Sequence, residues 1–341
     1  MRYRLQHFGD THGVAASTTR RAFLSSMVSA AVLARGVAGQ RRTAADMAER
    51  FRRISEEFER KGLAEPFRGI TTDGQVTPGL FEIAPTGVST APVRDAAEKF
   101  IASLTSVQLA RTMFPVDDSE WRKWMNQHFY ARQGISFAEM TESQRQAAFG
   151  LLRASQSARG YELTRNIMRL NETLAELADD HDFLGEWLYY ITIMGKPSPT
   201  EPWGWQLDGH HAILNYFVLG DQVVSTPHFL GSEPVSAPSG KYKGLAILQQ
   251  EQNDGLKLVQ ALPDAQRRKA ILSFSKTGSN NLTEAFKDNV VLDYAGVCAA
   301  DLSTAERRRL LDLVNLYVGN MDDGHARVKM DEVNRLVGKT W

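Results

Sequence analysis

Two histidines stand side by side at His210 and His211, at the end of the stretch WGWQLDGHH from Trp203. Within nine residues the chain gathers two tryptophans, Gln206, Asp208 and both imidazoles. A neutral imidazole near pH 7 is both a metal ligand and a general base. A carboxylate two residues away on a strand can orient the ring and fix its tautomer, so Asp208 is expected to serve His210. These three residues, Asp208, His210 and His211, form the expected catalytic group.

The element that must position them reads as a strand. Alternation over Trp205 to Val218 puts Gln206, Asp208, His210, Ala212, Leu214 and Tyr216 on one side. Trp205, Leu207, His211, Ile213, Asn215 and Phe217 fall on the other. Adjacent histidines on a strand point apart, so they share a metal only if a bulge at Gly209 re-aims one of them. Gly220-Asp221 reads as a two-residue hairpin turn, pairing Leu219 with Gln222, Asn215 with Thr226 and Ile213 with His228. His228 then approaches His211, giving a metal set of His210, His211 and His228. Two hairpin histidines are too few for a closed site, and His128, Glu186 and His325 are candidates for a further ligand. Imidazole donors suit Zn, Cu or Fe. Trp203, Trp205, Gln206 and Asn215 are expected to line a small-molecule ligand.

Around this hairpin the text is mostly helical. Apolar residues recur at helical spacing after Thr43, and over 93–112, 141–157, 161–178, 244–262, 264–273, 281–291, 303–321 and 325–337. A further helix is expected after Pro115, capped by Asp117 or Asp118, with Trp121, Trp124, Met125, His128 and Phe129 on one side. Residues 67–90 are rich in Gly, Thr and Pro and read as short strands or extended loop. The second half of FLGEWLYYITIMG, from Phe183, is β-branched and aromatic and reads as a strand. Ser303 and Glu306 make a capping box, and Asp322 precedes His325 as a helix cap. The expected class is α+β: a predominantly helical single domain over 43–341, around a small antiparallel sheet containing the 203–229 hairpin.

Composition narrows the partners. Forty basic and 40 acidic side chains leave no net charge, which gives no footprint for nucleic acid. Cys298 is the only cysteine, so neither an intramolecular disulfide nor a multi-cysteine metal site can form. There is no G-x-S-x-G for a nucleophilic serine and no phosphate-loop motif. Residues 1–38 read as a signal peptide: Arg20-Arg21, then Phe23-Leu24, an apolar run to Ala34, and small residues at Gly36-Val37-Ala38. The arginine pair predicts the twin-arginine export machinery as a partner and a periplasmic or extracellular destination. The run is too short and too rich in Ser and Ala for a permanent membrane anchor. Without the first 40 residues the net charge becomes minus four.

Four blocks occur in order: GITTDGQVTPGLF, FPVDDSEWRKWMNQHFYARQG, EPWGWQLDGHHAILNYFVLGDQVVSTPHFLGSEP and NNLTEAFKDNVVLDYAGV. Together they resemble the family called domain of unknown function 3500, from Ala45 onward. The resemblance marks Pro202–Gln206 and Gly209–His211 as a hallmark and supplies no activity. It also implies a tail beyond the position of Trp341, with a H-x-H element, whose lack would leave this chain less stable. Two readings of function follow. The first is an exported metal- or histidine-dependent enzyme with its site on the hairpin. The second is an exported binding protein in which Trp187, Trp203 and Trp205 form a platform for a carbohydrate-like or ring-bearing ligand. A hydrolase pairing Glu186 with Asp208 lies between them.

Overall fold

The computed structural model describes residues 43–341 apart from 80–81 and 275–284. The signal segment at 1–38 lies outside the described residues, as does all of 275–284; of the helix expected over 281–291, the described part, 285–291, is not helical. Residues 47–341 form one compact unit.

Among the described residues there are nine α-helices: α1 Ala44–Gly62, α2 Ala91–Ser103, α3 Ser106–Thr112, α4 Glu142–Ser155, α5 Ala158–Ala178, α6 Gln249–Ala261, α7 Asp264–Ala270, α8 Thr304–Val318 and α9 Asp323–Leu336. Among the same residues six strands make one sheet: β1 Met113–Phe114, β2 Ile135–Ser136, β3 Tyr189–Met194, β4 Trp203–Gly209, β5 Ala212–Leu219 and β6 Gln222–Leu230. Its order is β1-β3-β4-β5-β6, with β2 also pairing β3. The α+β class holds. The sheet is mixed, because β1 runs parallel to β3 while the other pairs are antiparallel.

The caps are where short polar side chains stand. Thr105, Thr141 and Ser303 each close a capping box on the residue three further on. The box at Thr105 splits the expected 93–112 helix into α2 and α3. After Pro115 the expected helix does not form beyond a single 3-10 turn at Ser119–Arg122, capped by Asp118. From there to Arg132 the chain is irregular, and one guanidinium replaces the helical ladder. Arg132 donates to the carbonyls of Met125, Gln127 and Tyr130.

The largest correction concerns 205–218, which is two strands rather than one. The chain reverses at His210-His211, with Gly209 paired to Ala212, Leu207 to Leu214 and Gln206 to Asn215. The expected alternation therefore holds only up to Asp208. Asn215 joins Gln206 on one face, while Leu214 and Tyr216 join Leu207 and Trp205 on the other. That second face packs into the core with Phe100, Leu151, Leu152, Ile167 and Met168 of α2, α4 and α5. The Gly220-Asp221 turn forms as expected, pairing Leu219 with Gln222. A register shift between Leu214 and Tyr216 then places His228 opposite Leu214, not Ile213.

Candidate functional site

The turn at His210-His211 is clamped on several sides. A Cβ on Gly209 would lie 2.1 Å from Cδ1 of Tyr189, so only glycine lets that ring lie against the strand end. The Tyr189 hydroxyl donates to the His210 carbonyl at 2.8 Å. The His211 N–H donates to the Asn126 carbonyl at 2.9 Å, and the Gly231 N–H to the His211 carbonyl at 2.8 Å. His211 takes φ 60°, a left-handed conformation costly for a side chain with a Cβ. The two imidazoles that strand alternation would separate are thereby brought together, with ring centroids 4.2 Å apart.

A third donor reaches the pair. One ligand atom each from His210, His211 and Glu233 lies within 4.8 Å of the others. His210 is buried, His211 partly so, and the Glu233 side chain is 58 % exposed, so the group opens to solvent on the carboxylate side. Asn171 of α5 fixes the His210 ring. Its Nδ2 donates to the Gly185 carbonyl, which turns Oδ1 toward His210 Nδ1 at 2.8 Å. Nδ1 therefore carries the proton, and Nε2 keeps its lone pair. Nε2 of His211 is buried without a hydrogen-bond partner among the described residues. The nearest charge, Glu233 Oε2, stands 3.5 Å away. A buried ring nitrogen without a hydrogen bond, in a 3.5 Å contact with a carboxylate, is an arrangement a cation between them would complete.

The electrostatics prepare the donors. Burial, then the neighbouring His211, His128 and Arg132, push the His210 pKa down to about 2. Burial likewise lowers His128, whose ring meets His210 edge-on at 5.5 Å. The His211 imidazole holds the Glu233 carboxyl below its ordinary range. At neutral pH the site thus presents a neutral His210 beside an ionised carboxylate. Two imidazoles and one carboxylate bind Zn or Fe(II) and leave coordination positions open for water or substrate. Phe51 of α1 and Phe229 of β6 pack on His128 and His211 and supply an apolar wall.

The other expected residues take different places. Asp208 does not orient His210. Arg132 Nε donates to its Oδ1 at 2.8 Å, and burial raises its pKa to about 6 against the lowering pull of that guanidinium. Asp208 thereby anchors the irregular segment that carries His128. Gln206 and Asn215 are spent on structure: Gln206 bonds Thr192, Asn215 and the Glu120 carbonyl, and Asn215 donates to the Trp121 carbonyl. Trp203 and Trp205 are 0 % exposed, because the core-facing side of β4 is covered by helices, and neither offers a ring face to a ligand. Trp187 lies under the guanidinia of Arg145 and Arg165. His228 is not among the clustered donors. Its Nδ1 meets Ser225 Oγ at 3.0 Å, and burial alone takes its pKa to about 4. Glu186 is held by Arg165, Lys241 and Tyr242, and both nitrogens of His325 are engaged by Asp322 and the Asp221 carbonyl.

Glu233, Asn171 and Arg132 were not expected from the sequence. Glu233 was the legible one. Once the chain turns at His210-His211 and β6 pairs Leu230 with Ala212, the next residues must run beside the histidine turn. Asn171 gave no signal beyond an amide on a helix.

Residues 86–341 match a family model described as "Protein of unknown function (DUF3500)". No curated protein and no solved structure matches the chain.

Proposed function

We propose that this chain, which belongs to that family, is a metal-dependent enzyme whose reactive centre is built from His210, His211 and Glu233. The observation that carries the proposal is the buried Nε2 of His211, which makes no hydrogen bond and lies 3.5 Å from an ionised carboxylate, within reach of a second imidazole. The chain's own residues would do three things. Asn171 holds His210 in the Nδ1–H tautomer, the φ 60° turn aims both rings one way, and Phe51 and Phe229 restrict water on the apolar side. A bound Zn or Fe(II) ion would supply Lewis acidity and an activated water at the open positions. His128, neutral and against His210, is the group placed to take a proton from that water.

Cobalt(II) titration tests the reading. Visible d–d bands that saturate in the wild type and vanish in His211→Ala and Glu233→Ala are expected. Bands that survive both substitutions would move the metal elsewhere.

We further propose export through the twin-arginine route, supported by Arg20-Arg21 ahead of the apolar run. Among the described residues no helix is long and apolar enough to cross a membrane. Replacing both arginines by lysine should retain the chain in the cytoplasm; unchanged export would refute the route.

A further inference from the structure

A separate cleft of about 440 Å³ lies between α5 and the turn that follows Ser239. The sequence builds that turn deliberately. Gly240 takes φ 76°, and a Cβ there would lie 1.6 Å from Oε2 of Glu176. The Glu176 carboxylate accepts the Lys241 N–H at 3.1 and 3.3 Å, and the Lys243 N–H donates to the Gly240 carbonyl at 3.2 Å. Lys241, Tyr242 and Lys243 are thus held over the helix face that carries Arg165 and Arg169.

Four cations, Arg165, Arg169, Lys241 and Lys243, line the cleft with one carboxylate, Glu186, and Glu162 pairs with Arg169 beside it. The chain as a whole has no net charge, so this excess is local. Glu186 is buried and fully used. Its Oε1 accepts from Arg165 at 3.0 Å, and its Oε2 from Lys241 at 3.0 Å and from the Tyr242 hydroxyl. It fixes those donors in place while cancelling only one charge. Arg165 is further held flat against Phe149, 4.2 Å from the ring centroid. Arg169 uses only its NH1, on Glu162 and Asn166, and Lys243, which also lines the cleft, is exposed. A wall of donors whose two carboxylates, Glu186 and Glu162, are already engaged recognises an anion, and four cations against two carboxylates leave an excess of two that matches a divalent one. The groove is open to solvent on one side and has room for more than a bare phosphate.

We propose that this cleft binds the phosphoryl group of a small phosphate ester, with Arg169 and Lys243 as the principal contacts. The proposal does not depend on the metal centre. Calorimetric titration of the full chain with inorganic phosphate and with glycerol 3-phosphate tests it. Saturable binding of the ester, tighter than that of phosphate, is expected. It should weaken by about tenfold or more in the double variant Arg169→Ala with Lys243→Ala, as loss of charge-assisted bonds implies. His211→Ala should leave it unchanged. Both replaced side chains are partly exposed, and a thermal melt checks that the variant folds. No saturation of the wild type by about 10 mM, a Kd corresponding to less than about 3 kcal/mol, would overturn the proposal. So would equal heats from potassium chloride at matched ionic strength, or equal affinity in the double variant.

Discussion

Asn171 Oδ1 lies 2.8 Å from His210 Nδ1, and both side chains are buried. The Asn171 amide cannot flip without losing its bond to the Gly185 carbonyl, so the tautomer of His210 is set from α5. Replacing Asn171 by Leu should leave the fold largely intact and weaken metal binding by roughly 10–100-fold. Nitrogen-15 NMR of the imidazoles provides the second readout. The wild type should show His210 protonated at Nδ1, and the variant a mixture of tautomers.

The turn carries strain that its function explains. His211 sits at φ 60°, where a residue with a Cβ costs about 1–2 kcal/mol. Glycine removes that cost but adds roughly 0.5–1 kcal/mol of chain entropy. His211→Gly should therefore melt no lower than the wild type while losing the metal. A marked fall in Tm would mean that the ring is held for packing rather than for a ligand.

Gly209 has no such latitude. A methyl group there meets Cδ1 of Tyr189 at 2.1 Å. Gly209→Ala should cost about 1–3 kcal/mol or more by overpacking, read from denaturant melts. Tyr189→Phe removes only the bond to the His210 carbonyl and should cost about 1 kcal/mol.

The far end of the β5–β6 hairpin gives a pH signature. Burial opposes the charge on His325, but its hydrogen bond to Asp322 and the Asp221 carbonyl raise its pKa above 6.5 overall. Burial likewise opposes ionisation of Asp322, and His325 brings it below 3.8. A raised histidine stabilises fully below its unfolded pKa and loses that contribution as pH rises through the folded value. A lowered carboxylate stabilises above its unfolded pKa and loses the contribution as pH falls through the folded one. The pair is worth most between 3.8 and 6.5. The Tm difference between wild type and Asp322→Asn should peak in that window and shrink toward pH 8. A difference flat in pH would show that the two side chains do not titrate as a pair.

What could be read from residues alone divides along physical lines. Helices with capping boxes at Thr141 and Ser303, the strand in YYITIM and the Gly220-Asp221 turn follow from local chemistry. The turn at His210-His211 was illegible because no glycine, proline or Asn-Gly pair occupies its two central positions. It is imposed by Tyr189, Asn126 and Gly231, far apart in sequence. The segment after Pro115 fails as a helix for a similar reason: Arg132 takes its carbonyls, and Asp208 holds Arg132. The Gly209-His-His block is legible as a run of potential donors, and the structure clusters His210 and His211 with Glu233. Its geometry depended on which residues cross from other strands.

Metal content of the purified chain tests the central claim most directly. Protein produced in medium supplemented with Zn and Fe, desalted and measured by elemental analysis, should retain about one equivalent of a transition metal, as a three-ligand site implies. His210→Ala, His211→Ala and Glu233→Ala should each reduce it several-fold, and His228→Ala should not. Less than about a tenth of an equivalent in the wild type, after loading with either ion, would contradict the account. So would a loss in His228→Ala equal to that in His211→Ala.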